Sequence, residues 1–131
     1  MGVIAVLVAA LAGFVMGAVW YTTLARPWMS AAGIPLDENG KPQGNGSAMP
    51  FVISGVAMIL VSGMMRHMFA TSGIDGPFAG LVAGLGVGLF FITPWVAMNY
   101  AYAMRPRRLT IIDGGYSVLG PGIIGLVLGL F

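Results

Sequence analysis

The sequence predicts an all-α integral membrane protein, a bundle of four transmembrane helices. Of its 131 residues, 58% are hydrophobic and 8% are charged, whereas soluble domains carry about 25% charged residues. The charged residues lie almost entirely between long apolar stretches, as expected for spanning helices and the loops that connect them. Four of these stretches reach the length of about 20 residues that a helix needs to cross a bilayer.

The predicted spans form a single transmembrane domain and cover residues 2–24, 48–65, 77–104 and 109–131. No basic residue precedes Arg26, so the first stretch is interpreted as a retained span and not as a cleaved secretion signal. The third span is longer than a bilayer requires, and Pro94 near its middle predicts a kink or a tilt.

The loops between the spans predict the orientation of the protein. Residues 34–50 are polar and rich in Gly and Pro, which predicts an irregular loop. The second loop, around RHMFATSGIDGP, and the third, at RPRR, are short. The basic residues of the first and third loops outnumber the one in the second, Arg66; they are Arg26, Lys41, Arg105, Arg107 and Arg108. This asymmetry predicts a bacterial inner membrane protein with those two loops in the cytoplasm and both termini on the outer, periplasmic side.

Composition also bears on the chemistry. The chain has no cysteine, which excludes disulfides and thiolate metal sites. Its net charge of +2 is too small to suggest nucleic-acid binding, and common phosphate-loop, zinc-peptidase and serine-nucleophile motifs are absent. Met64, His67 and Met68 share one helical face and could hold copper or haem, but packing is the preferred interpretation. We therefore expect no enzyme activity, no cofactor and no metal site.

Small residues recur at four-residue spacing in every predicted span, for example at Gly80, Gly84 and Gly88 of the third. Such stripes let helix backbones approach closely inside a membrane. They are expected to pack the bundle internally, while some could instead face a second subunit. A homo-oligomer or a larger membrane complex is therefore expected.

Asp113 is the residue that raises the sharpest question about chemistry. Thr110 and Asp113 have the spacing of a helix capping box, and the preceding arginines could pair with the carboxylate. Alternatively, Asp113 forms the floor of a polar pocket, because ionisable residues in spans are often functional. Gly114 and Gly115 leave room beside it.

Two segments on the predicted cytoplasmic side resemble each other. WYTTLARPW and NYAYAMRPRR each place an Arg-Pro pair after a tyrosine and four further residues. Membrane-interface anchoring explains such residues, but convergence of the two ends would surround Asp113. We expect Asn99 to face protein, because a buried amide needs partners. The predicted binding residues are Trp20, Tyr21, Arg26, Trp28, Asn99, Tyr100, Tyr102, Arg105, Asp113 and Tyr116.

The stretches GAVWYTTLARPWMSAAG and MRPRRLTIIDGGY resemble the pattern of a bacterial family of small four-span proteins, domain of unknown function 1761. The resemblance covers nearly the whole chain, although only these two motifs are specific. An Arg-Pro pair stands where a Gly-Lys-like pair is expected, which keeps the positive charge. The resemblance implies that the motif residues belong together, without implying an activity; they are Gly17, Trp20, Tyr21, Arg26, Trp28, Asp113 and Tyr116.

The sequence thus favours a small non-enzymatic membrane protein. Its aromatic, arginine and aspartate cluster would bind membrane lipid or a small amphiphile, or would join subunits. An accessory subunit of a larger membrane complex is the first alternative. A transporter or channel ranks below it. Such a protein needs a continuous polar path, and the middles of the spans offer chiefly Ser54, Ser62 and Thr93.

Overall fold

The computed structural model describes residues 2–36, 38–39 and 48–131. Parts of the predicted loop 34–50, including Lys41, lie outside these residues. A π-helical segment, Gly88–Ile92, joins two of the helices into one rod, Pro77–Tyr102. The helices of the described chain are α1 (Gly2–Thr23), α2 (Ala25–Ala32), α3 (Met49–Ser72), α4 (Pro77–Val87), α5 (Thr93–Tyr102) and α6 (Arg107–Gly129).

Four helical rods are long and apolar enough to cross a membrane: α1, α3, the Pro77–Tyr102 rod and α6. This confirms the predicted all-α fold class and gives the chain the helices of a multi-pass membrane protein. The helix ends lie within two residues of the predicted span ends, except at the end of the second span. Helix α3 continues to Ser72, where Gly73 adopts a left-handed conformation with φ of 69°. Arg66 and His67 therefore lie within a helix and not in the second loop.

Helix α6 lies at the centre of the bundle. Helices α1 and α4 pack against it, and α3 packs mainly on α1. In α6, 44% of the residues in an apolar stretch of 18 are buried, whereas in the other three rods the share is 22% or less. The apolar core forms where α1, α3 and α6 meet and contains Ala5, Ala9, Met65, Phe69, Ile124 and Leu128.

The Pro77–Tyr102 rod and α6 approach each other so closely that backbone touches backbone. A Cβ atom added to any of three glycines of the rod would overlap a carbonyl oxygen of α6. The overlapping pairs are Gly80 with Gly125, Gly84 with Pro121, and Gly88 with Ser117. These glycine stripes are therefore used within the chain, as close helix packing in membranes requires. By contrast, a Cβ at Gly55 of α3 would meet nothing within 4 Å.

Prolines set the directions in which the helices enter the candidate site. Pro27 lies in the first turn of α2, just after α1 ends at Thr23, and a proline ring clashes with the carbonyl four residues earlier. Pro106 has an extended conformation and precedes the first residue of α6. Before it, Met104 has a φ of 56°, which makes the turn between α5 and α6 tight. Both Arg-Pro pairs thus mark changes of chain direction at the same end of the bundle.

Candidate functional site

Asp113 lies well inside α6. The helix begins at Arg107, six residues earlier, so Asp113 is about 9 Å along the axis at 1.5 Å per residue. Thr110 is an interior residue of the helix and cannot be its N-cap. The capping-box interpretation is therefore wrong, because Pro106 starts the helix one turn earlier than that interpretation requires.

The Asp113 carboxylate accepts hydrogen bonds from three side chains on three other helices. Oδ1 accepts from the Tyr21 hydroxyl at 2.6 Å and from Trp28 Nε1 at 3.1 Å. Oδ2 accepts from the Tyr100 hydroxyl at 2.5 Å. We call these four residues the Asp113 cluster. One carboxylate therefore joins α1, α2, α5 and α6, because its three donors lie on three other helices. Hydrogen bonds to an ionised acceptor are roughly twice as strong as neutral ones.

The arginines near the cluster act on α2 and not on the carboxylate. Among the described residues, no arginine or lysine forms an ion pair with Asp113. Arg105 donates to the carbonyl oxygen of Ala32 at the end of α2, and Arg108 lies 3.5 Å from the Ser30 hydroxyl. The arginine-pairing interpretation is thus not what the described chain shows. Helix α2 is held by Asp113 through Trp28, by Arg105 from the turn between α5 and α6, and by Arg108 from the first turn of α6.

Trp20 packs on the backbone of α6 beside Asp113. Its indole Nε1 donates to the carbonyl oxygen of Ile112 at 2.9 Å. A Cβ at Gly115 would overlap the Trp20 ring. Position 115 therefore requires a glycine, because the Trp20 ring lies directly against the backbone of α6 there.

Tyr116 locks α6 to the glycine stripe of α1. Its hydroxyl donates to the carbonyl oxygen of Gly13 at 2.7 Å, and a Cβ at Gly17 would lie 2.8 Å from that hydroxyl oxygen. Its ring also meets the Tyr21 ring edge-on, with centroids 5.6 Å apart. Tyr116 therefore supports the Asp113 cluster from below without touching the carboxylate.

Not all of the predicted residues join this arrangement. The structure brings together Trp20, Tyr21, Trp28, Tyr100, Asp113 and Tyr116, with Arg105 at the edge. Arg26 and Asn99 are exposed, and Tyr102 is 86% exposed. The prediction that Asn99 faces protein is wrong, because its side chain is exposed on α5.

Three supporting residues were not among the predicted binding residues. Ser117 donates to the backbone carbonyl of Asp113 at 2.8 Å, Thr93 lies 3.5 Å from the carbonyl oxygen of Gly114, and Gly13 accepts from Tyr116. Ser117 follows Asp113 by one helical turn, which is a spacing that could have suggested the contact. The contact of Thr93 depends on tertiary packing and has no such signal in the sequence.

A sequence model of the family described as "Protein of unknown function (DUF1761)" matches residues 4–129. The chain belongs to the DUF1761 family. This confirms the resemblance that the two motifs indicated, and the matched region contains the whole Asp113 cluster. No curated protein and no solved structure matches the chain.

In this DUF1761 protein, the Asp113 carboxylate uses most of its acceptor capacity on side chains from other helices. A carboxylate has about four lone-pair positions, and three of them are used by hydroxyl and indole donors. Among the described residues, no three His, Cys, Asp or Glu side chains come close enough to hold a metal ion. The methionine and histidine set that could hold copper or haem, Met64, His67 and Met68, lies on an exposed face of α3. There Met64 is 59% and Met68 38% exposed.

Proposed function

We propose that this protein is a non-enzymatic membrane protein that binds anionic lipid headgroups at the end of the bundle that carries the Asp113 cluster. The observation that supports this most directly is a rim of exposed arginines around that end: Arg26, Arg105, Arg107 and Arg108. Arg26 and Arg107 have no hydrogen bond or ion pair with any other described residue. Their guanidinium groups are free to bind phosphate, for which arginine geometry is well suited.

The Asp113 cluster has a positioning role in this proposal. It fixes α2 across the end of the bundle through Trp28, and α2 carries Arg26 in its first turn. The arginines also support a cytoplasmic position for this end, with both termini on the outer side, because positively charged loops are retained in the cytoplasm. The cytoplasmic surface of the membrane carries anionic lipids, and it attracts each nearby lysine or arginine by about 1 kcal/mol.

The test is lipid retention by a charge-depleted variant. Arg26→Gln combined with Arg107→Gln removes the two unpartnered arginines, and Thr22→Gln with Thr23→Gln changes two exposed residues at the same end without changing charge. Each protein is placed in mild detergent, titrated with phosphatidylglycerol and weighed intact by native mass spectrometry. We expect severalfold weaker binding for the arginine variant only. Equal binding by all three proteins would refute the proposal.

Self-association through α3 is a second candidate. The side of α3 that carries Gly55 is open, and its neighbours Val52 and Val56 are 56% and 53% exposed. The mass of the gently extracted assembly tests it: a multiple of the chain supports a homo-oligomer. Additional polypeptides in that mass would instead support an accessory subunit of a larger membrane complex.

A further inference from the structure

A groove of about 440 Å³ runs between α1 and α3. Val3, Val6 and Leu7 form one wall, and Ile59 and Gly63 form the other. The groove includes Arg66 and His67 towards the end where α1 begins and α3 ends. It therefore lies at the opposite end of the bundle from the Asp113 cluster.

The groove exists because Gly63 lacks a side chain and nothing else fills the space. A Cβ at Gly63 would have its nearest neighbour, Val6 Cγ1, at 3.9 Å, which is an ordinary contact and contrasts with the overlapping glycines of α4. Below it, buried Ser62 donates to the carbonyl oxygen of Val6 at 2.9 Å. That bond holds α1 and α3 together at the floor of the groove.

The charge at one end of the groove indicates what fills it. Arg66 lies six residues before the end of α3, which is about 9 Å inwards along the axis. Its guanidinium carbon would be 2.9 Å from a Cβ at Gly2, so the side chain lies across the start of α1. Among the described residues, Arg66 forms no ion pair. A cation at that depth in a membrane helix is stabilised by an anion.

We propose that this groove holds one acyl chain of an anionic phospholipid, with its phosphate at Arg66 and His67. The apolar walls suit a hydrocarbon chain, and the cationic end selects the headgroup. Arginine contributes a planar pair of donors to the phosphate, while the imidazole of His67 adds a further donor. This site is separate from the arginine rim of the proposed function and lies at the other end of the helices.

Two substitutions, each with a matched control, separate the two parts of the site. Arg66→Gln removes the charge and leaves the walls intact, and Arg66→Lys keeps the charge. Gly63→Leu fills the groove from α3, while Gly86→Leu adds the same side chain where a Cβ would meet nothing within 4 Å. All variants are made in the Arg26→Gln, Arg107→Gln background, so that the two unpartnered arginines of the rim do not contribute. Arg105 and Arg108 keep their contacts with α2 in every variant. Thermal unfolding in detergent verifies that each variant is folded.

The measurement is native mass spectrometry of each protein with added phosphatidylglycerol or phosphatidylcholine of identical chains. We expect the parent to bind phosphatidylglycerol about five- to tenfold more tightly than phosphatidylcholine. Arg66→Gln should abolish that preference, Arg66→Lys should retain part of it, and Gly63→Leu should weaken binding of both lipids. Gly86→Leu should match the parent. A preference that survives Arg66→Gln, or a dimer that Gly63→Leu dissociates, would overturn the proposal.

Discussion

Tyr21 and Tyr100 donate their hydroxyl protons to opposite oxygens of the same carboxylate, that of Asp113. Each tyrosine precedes an Arg-Pro pair by the same number of residues, one at the end of α1 and the other at the end of α5. The similarity of the two segments therefore has a geometric counterpart, because both tyrosines reach one acceptor on α6 from different helices.

Removing the acceptor should destabilise the bundle more than changing its charge. Asp113→Ala leaves two hydroxyls and an indole N–H without their partner, and each unsatisfied buried group costs about 1–3 kcal/mol. We expect a loss of about 3 kcal/mol or more in the free energy of unfolding. Asp113→Asn should lose less, because its amide oxygen still accepts. Equilibrium unfolding in detergent measures both, and an Ala variant as stable as the parent would contradict the joining role.

Tyr21→Phe removes one donor and keeps the ring that packs on Trp28 and Tyr116. A hydrogen bond to a charged group contributes about 1.5–3 kcal/mol, so stability should fall within that range. Tyr102→Phe is the matched control, since Tyr102 is 86% exposed, and it should change nothing measurable. A double-mutant cycle with Asp113→Ala, which removes the acceptor, should give strong coupling for Tyr21 and none for Tyr102.

Trp28→Phe should loosen α2 selectively. The indole donates to Asp113 Oδ1, and α2 has only 8 residues, too few for a stable helix without packing. We expect amide hydrogens of Ala25–Ala32 to exchange about tenfold faster, with those of α4 unchanged. Trp95→Phe, at a residue 64% exposed, serves as the control. Unchanged exchange in α2 after Trp28→Phe would show that other contacts hold this helix.

The glycines of α4 differ sharply in their tolerance of a methyl group. At Gly84 a Cβ would overlap the backbone oxygen of Pro121, whereas at Gly86 it would meet nothing within 4 Å. Gly84→Ala should force α4 and α6 apart and cost about 2–3 kcal/mol or more. Gly86→Ala should be neutral or slightly stabilising, since alanine favours the helix. Thermal unfolding of the pair decides the matter, and equal midpoints would exclude close packing at Gly84.

Much of the fold could be predicted because hydrophobic length and loop composition are local properties of a sequence. The starts and ends of helices were harder to predict. Thr110 and Asp113 carry a capping pattern, yet Pro106 begins α6 earlier. Likewise, Arg66 and His67 are polar residues that suggest a loop, but a helix continues past them when its backbone bonds are unbroken and Gly73 provides the first termination.

The sequence predicted which residues form the cluster better than it predicted the hydrogen bonds between them. Aromatic residues and Asp113 at one end of the bundle suggested convergence, and six of the predicted residues do meet. Which tyrosine takes which oxygen, and why Asn99 and Tyr102 face outwards, depends on the rotation of α5 about its axis. Hydrophobic pattern does not reveal that rotation, because in a membrane both the lipid-facing and the protein-facing sides are apolar.

The π-helical segment Gly88–Ile92 supplies this rotation. There, the Thr93 N–H bonds to the carbonyl of Gly88, five residues back, so the rod contains one residue more than an α-helix of the same path. Each residue of an α-helix turns the chain by about 100°. Without the wide turn, Tyr100 would point about a quarter of a circle away from Asp113. The wide turn thus acts as a phase correction, and it allows one rod to present glycines to α6 along its first half and a tyrosine to the carboxylate near its end.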